Sequence, residues 1–343
     1  MVSLLENPAL KQWCARLAAV NHYIEPEVAL ILHLWWEDQQ GPLILEGPPG
    51  GGKSSLAWKI AQALNLPLYR LQCFSGIGKK EALYDWDSNI QRVLVDEWVA
   101  KNPLPDNPNP IVYDQRCMVL GALAQSLVDP QENIVLIDEL DKVPNDQAFE
   151  ALLLQYLEEA AISISEQGRT LRPASGIKPH VIITSNAGNG GQKASLSHPI
   201  LRRGRYLYLG DNALIRKCKI LQYNAPNLAP KLIRECAIFG TCAANLLALE
   251  KPFSLSEIMM LVRSIQILNK VEPISELTKE IALQLLPDYI KSTPDEDRLR
   301  DNLNMIFHAI EVNYAGKPLK EVEALMSQDN QKAKREKKRL KVA

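Results

Sequence analysis

A chain of 343 residues with 23% charged and 46% hydrophobic side chains is long enough for two cored domains and has the composition of a soluble globular protein. Its formal net charge of −1 gives no global attraction to nucleic acid or to an anionic membrane, so any such contact must be local. The longest apolar runs, such as Val28–Trp36, fall well short of the roughly 20 residues a membrane span needs.

Glu6 and Lys11 interrupt any signal-peptide core, and a cytoplasmic protein with no membrane span is expected. The six cysteines have no C-x-x-C spacing and no clustered histidines, so they read as reduced core residues and not as a zinc site. In chain order, Leu4–Ala19 and Glu25–Glu37 carry apolar stripes at helical spacing, which predicts a helical segment over residues 1–40 packing on the core that follows.

Pro42–Glu46 is a short strand-like apolar run, and it leads into Gly47-Pro48-Pro49-Gly50-Gly51-Gly52-Lys53-Ser54. This meets the pattern G-x-x-x-x-G-K-[ST], in which glycines let backbone N–H groups curl around two phosphates at dihedrals a side chain would forbid. The ammonium of Lys53 then reaches the outer phosphates, and the hydroxyl of Ser54 ligates the magnesium ion that bridges them. Ser55 opens a helix-spaced run to Leu64, which aims a helix N-terminus at the anion. A bound nucleotide with Mg2+ is the expectation.

From Pro42 to about Leu209, β-rich runs alternate with amphipathic segments, the pattern of a doubly wound parallel sheet. Candidate strands are Leu43–Glu46, Leu68–Cys73, Ile134–Ile137, Val181–Ser185 and Tyr206–Leu209. Asn102–Pro110 must be an irregular loop, because its prolines fit neither a helix interior nor a central strand. It lies in an insertion spanning about residues 75–130.

Asn133–Glu139 is an apolar strand ending in two carboxylates at the sheet edge where ligands bind, the place of a Walker B motif. Asp138 would hold magnesium through water, and Glu139 would orient and deprotonate the attacking water; Asp141 and Lys142 follow in the same turn. His180–Asn186 repeats the design and delivers Asn186 to the edge, within reach of the γ-phosphate or the attacking water. Arg202, Arg203 and Arg205 then form a guanidinium cluster suited to the charge of a phosphoryl-transfer transition state. After Leu209, segments 213–223, 228–248, 255–270, 275–290 and 296–312 suit helices. The basic tail from Ser327 reads as a solvated extension.

Together these residues resemble the AAA+ ATPases of the MoxR type, in the branch found beside carbon monoxide dehydrogenase maturation genes. The resemblance spans roughly residues 20–265. It rests on GPPGGGKS, Leu71–Phe74 with Glu81–Trp86, Val135–Asp141, Phe149–Leu154, Thr184–Asn186, Leu201–Arg203 and Lys251–Glu257. It implies an α/β P-loop domain over 41–210, with a parallel sheet flanked by helices, followed by an all-α lid over 211–326 and a basic flexible tail over 327–343.

It also implies ATP hydrolysis in a ring, usually a hexamer, with ATP between subunits and Asn186 as sensor 1. Arg203, or alternatively Arg202, would be the arginine finger. Tyr23 and Ile24 would flank the adenine, and Ala161–Arg172 would form a hairpin directed at the pore, a reading its alternating apolar residues and Gly168 support independently. No arginine stands at the expected sensor-2 place in Ser254–Glu257, although Arg263 follows on the same helix. The client implied is a protein, such as a metalloenzyme matured with a von Willebrand factor A type partner. A nucleic-acid motor or loader using the basic tail is the competing reading, and neutral charge weighs against it.

Overall fold

The computed structural model describes residues 7–101, 109–143, 146–186, 196–210, 213–247, 249, 253–290 and 292–328. Residues 102–108 of the expected irregular loop, Lys251, Pro252 and the basic tail beyond 328 lie outside the described residues, whereas Asn109 and Pro110, expected in that loop, open a short helix, where proline in the first turn needs no donor. Contacts divide the chain into two compact units, one of Met1–Val20, Ile24–Pro48 and Gly52–Leu209, the other of Asn21–Tyr23, Pro49–Gly51 and Gly210–Ala343.

In the first unit, helices α1 (Pro8–Ala19) and α2 (Pro26–Asp38) both begin on proline. The apolar stripe predicts a start at Leu4 for the first of them, but the helix opens at Pro8. Asn7 is non-helical there, and its side chain accepts from the backbone N–H of Ala9 at 2.9 Å. A residue before proline is disfavoured in the helical region, and proline at the first helical position needs no donor, so this pair sets the boundary.

The sheet is built from β1 (Leu43–Gly47), β2 (Leu68–Gln72), β5 (Ile134–Asp138), β8 (His180–Asn186) and β9 (Arg205–Tyr208). Their spatial order is β2-β5-β8-β1-β9, with every pairing parallel. Side chains alternate between two cores. Leu43, Leu45, Ile134, Leu136 and Ile182 pack on the side of α1, α2 and α3 (Lys53–Leu64), while Ile44, Val135, Ile137, Val181 and Ile183 pack on the opposite side. The near-continuous apolar runs of β1, β5 and β8 are what burial on both faces requires.

The insertion holds α4 (Lys79–Ala82), β3 (Tyr84–Trp86), α5 (Ser88–Lys101), α6 (Asn109–Val112), β4 (Met118–Leu120) and α7 (Ala122–Val128), with β3 and β4 paired antiparallel. Helix α8 (Gln147–Glu159) follows β5 and leads into the antiparallel pair β6 (Ile162–Ile164) and β7 (Arg169–Leu171). Gly168 takes φ 61 at their turn. The turn leans on the insertion: Tyr84 Oη donates to Glu166 Oε2 at 2.8 Å, and Gln167 Nε2 donates to the Tyr113 carbonyl at 2.6 Å. The short helix α9 (His198–Arg203) precedes β9.

The second unit is helical: α10 (Leu214–Asn224), α11 (Pro230–Leu246), α12 (Leu255–Leu268), α13 (Lys279–Gln284), α14 (Leu286–Tyr289), α15 (Thr293–Tyr314) and helical residues 319–328. Phe239, at its centre, meets Phe253 and Tyr289 edge-on, with ring centroids 6.2 and 6.5 Å away. Ser254 caps α12 through a capping box with Glu257, whose carboxylate accepts from the Ser254 N–H at 2.8 Å. The stretch 275–290, read as one helix, is two. Pro287 cannot donate within a continuous helix, and it stands instead in the first turn of α14, where no donor is needed. No described helix is long and apolar enough to cross a membrane.

Candidate functional site

Parallel pairing gathers the site within the first unit, because it aligns the carboxyl ends of neighbouring strands. Gly47 of β1 stands opposite Asn186 of β8, and Gln72 of β2 stands opposite Asp138 of β5. Lys53 and Ser54 open α3 just beyond β1. Lys53 Nζ donates to the carbonyls of Gly47 and Pro48 at 2.9 and 2.8 Å and to Asn186 Oδ1 at 3.0 Å. Burial lowers its pKa from the ordinary lysine value, against the pull of Asp141, Glu139, Asp138 and Glu46. A cation held by two carbonyls among four carboxylates is placed for a strongly anionic ligand.

Asp138 is buried, with its carboxylate 1% exposed. Its Oδ1 accepts from Ser54 Oγ at 2.7 Å and from Thr184 Oγ1 at 2.6 Å. Its Oδ2 accepts from Arg70 Nε at 2.9 Å and Nη2 at 2.5 Å. Burial alone would raise this carboxyl's pKa, but the hydroxyls of Thr184 and Ser54 and the Arg70 guanidinium outweigh it and hold the group below the usual carboxylate value.

Glu139 takes a left-handed backbone, φ 58 and ψ 48, which turns the chain away from the strand axis and separates its carboxylate from that of Asp138. Its N–H donates to Thr184 Oγ1 at 2.8 Å, and its Oε2 accepts from Gln72 Nε2 at 2.8 Å and pairs with Lys142 Nζ at 2.6 Å. Asp141 fixes Asn186, accepting its N–H at 2.8 Å and its side-chain amide at 3.1 Å. Sequence spacing flags Asp141 without a role, and it misses Arg70, Gln72 and Thr184, which reach the acids only through strand register.

Among the loop glycines, Gly50 and Gly52 have φ 74 and 84, the left-handed region expected of a phosphate loop. Gly47 differs from the expectation. Its φ is not positive; a Cβ there would lie 2.1 Å from the Leu209 carbonyl oxygen, so close backbone approach is what requires glycine. Pro48 lies within this unit, while Pro49 and Gly51 group with the second one, as Gly50 does. Ser55 faces solvent, and Ile24 is buried in the core beside α1 and α2. The Tyr23 ring lies 6.3 Å from that of Tyr223 within the second unit, and Arg263 is exposed on α12.

Arg203 is not with the other site residues. It ends α9, before the amino end of β9, and β9 runs parallel to β1 with Arg205 opposite Leu43 and Tyr208 opposite Glu46. Strands rise ~3.3 Å per residue, so the whole length of the sheet separates Arg203 from Lys53. Its Nε donates to Glu158 Oε1 at 2.8 Å and its Nη1 to the Pro199 carbonyl at 3.0 Å. Arg202 beside it is exposed.

No group of three or more His, Cys, Asp or Glu side chains is gathered for a metal among the described residues. Magnesium needs no such cage, since it keeps several waters and takes nucleotide oxygens, and the paired oxygens of Ser54 and Asp138 beside Lys53 fit that habit. The parallel sheet with its phosphate loop is the P-loop AAA+ fold of an ATPase. More particularly, residues 42–204 match the family model of the AAA domain of the dynein-related subfamily.

Among solved structures, the chain is similar to two point mutants of Thermotoga maritima RuvB. One is 17% identical, with 88% of this chain and 82% of that chain covered and a TM-score of 0.45; the other is 18% identical, with 87% and 78% covered and a TM-score of 0.44. The Thermotoga maritima RuvB Holliday junction branch migration motor is 15% identical, with 88% and 80% covered and a TM-score of 0.42. No curated protein matches the chain.

Proposed function

We propose that the protein hydrolyses ATP in a ring of identical subunits, usually six, and uses the cycle to remodel or help assemble a protein client. The observation that supports the ring is the separation of Arg203 from Lys53 across the sheet: a finger arginine so far from its own phosphate loop would reach a neighbour's nucleotide and not its own. Within the subunit, Lys53 neutralises the outer phosphates. Ser54 and Asp138 would hold magnesium, which when bound bridges and screens the phosphate oxygens. Glu139 takes a proton from the attacking water, and Asn186, kept in place by Asp141, orients that water or the γ-phosphate. Arg203 of one subunit then stabilises the transition-state charge in the next.

The MoxR resemblance supports a protein client, with metalloenzyme maturation beside a von Willebrand factor A type partner as the class of work. The test uses the Glu139→Gln chain, which should bind ATP, lose at least a hundredfold in turnover, and run as a ring with ATP by light scattering. It should also retain a protein client that ADP releases. A Glu139→Gln chain that hydrolyses ATP at the wild-type rate, or stays monomeric with ATP, would overturn the proposal. DNA- or RNA-stimulated turnover that is lost when residues after Ser327 are deleted would replace the client reading with a nucleic-acid motor.

A further inference from the structure

Asp138 is more fully engaged than a carboxylate reserved for a hydrated cation needs to be. An ionised carboxylate offers about four lone-pair sites. Here Ser54 and Thr184 hydroxyls donate to one oxygen, and two N–H groups of Arg70 donate to the other. A water on a magnesium ion can therefore reach Asp138 only by displacing one of these donors.

They are not equally movable. Thr184 lies on the central strand β8, 1% exposed, and its oxygen also accepts from Glu139. Ser54 is itself the magnesium hydroxyl. Arg70 stands on β2, the edge strand, with its side chain 44% exposed, so solvent can take the guanidinium at little cost. Arg70 is the donor that can leave.

Its departure would not be silent. The same Nη2 donates to Gln72 Oε1, and Gln72 Nε2 donates to Glu139 Oε2 at 2.8 Å. An amide whose oxygen faces Arg70 must turn its NH2 away, and here it turns it to Glu139. The guanidinium thus fixes the orientation in which Gln72 restrains the glutamate.

We propose that Arg70 is a positioning residue that couples cation arrival at Asp138 to the Gln72 restraint on Glu139: with a hydrated magnesium ion at the carboxylate, Arg70 would swing outward and Gln72 would lose the contact that aims its amide, leaving Lys142 as the partner of Glu139. This rests on the ATP and magnesium reading above. It adds a link between the two acids that neither acid provides alone.

The test is binding of a fluorescent N-methylanthraniloyl-ATP to the full chain in Mg2+ and in EDTA. Arg70→Ala should leave affinity in EDTA within twofold of wild type and tighten binding in Mg2+ about tenfold, the scale of one lost charge-assisted competitor. Arg70→Gln carries the same expectation should the alanine chain fold poorly. Arg70→Lys, which keeps a cation but not the fork, should leave the Mg2+/EDTA ratio within threefold of wild type. It should nevertheless shift turnover in the same direction as Gln72→Ala, whose ratio is unchanged. An Arg70→Ala ratio equal to or below wild type would overturn the coupling. A wild-type chain that binds equally in Mg2+ and EDTA would instead remove the magnesium reading on which it stands.

Discussion

At the scale of single residues, the site separates two carboxylates that are adjacent in sequence by giving them different backbones. Asp138 ends a strand, buried and ringed by donors, while Glu139 bends into the left-handed region and meets Gln72 and Lys142. The donors around Asp138 also set a pH dependence. Because its folded-state pKa is depressed, the native carboxylate binds fewer protons than the unfolded one. The stability it confers is therefore fully present above the ordinary Asp value of about 3.9 and is lost as pH falls through the lower folded value. Asp138→Asn should cost about 2 kcal/mol at pH 7 by urea titration, the size of hydrogen bonds to a charged group. The gap to wild type should close as the pH drops below 4; a gap that persists into acid would mean the amide loses packing and not charge.

The legibility of these residues follows sequence distance. Lys53 and Ser54 are readable because the loop that defines them spans eight residues, and Asp138 and Asn186 because each ends its own apolar run. Arg70, Gln72 and Thr184 depend on how β2, β5 and β8 come into register, which no local pattern states.

At the scale of elements, runs buried on both faces announced β1, β5 and β8 clearly, and the parallel sheet followed from their alternation with helices. Errors fell where backbone chemistry overrides periodicity, as at Asn7-Pro8 and Pro287, or where an edge strand is half exposed. Strand β9 thus begins at Arg205, one residue before its predicted start. Gly47 shows the same limit, since the motif demands glycine there but the reason is the Leu209 carbonyl and not the dihedral. This distinction is measurable. Gly47→Ala must move backbone where β1 meets the end of β9, and overpacking of this kind costs about 1–3 kcal/mol. Gly52→Ala meets open space and strains only φ, at about 1 kcal/mol. The first should therefore lower the melting temperature by several degrees more than the second. Equal losses would return Gly47 to a purely conformational role.

At the scale of the whole molecule, the sheet sets what a single chain can do. It brings Lys53, Ser54, Asp138, Glu139 and Asn186 to one edge and leaves Arg203 at the other, beside a cavity of about 550 Å³ that it shares with Trp35, Asp38 and Lys178. If each subunit lends its arginine to the next, two different defects should compensate. A Lys53→Ala chain has no working site but an intact Arg203; an Arg203→Ala chain has an intact site and no arginine to lend. Each alone should turn over ATP at least a hundredfold more slowly than wild type, since a finger arginine is worth roughly 10³–10⁵ in rate. Mixed in equal amounts and allowed to exchange, they should recover up to about a quarter of the wild-type rate, because half the sites are intact and half of those face an intact arginine. A site completed within its own chain permits no recovery at any ratio. Recovery that peaks at equal mixing and disappears when Glu139→Gln is added to the Arg203→Ala chain would fix both the direction of the loan and the identity of the acid that uses it.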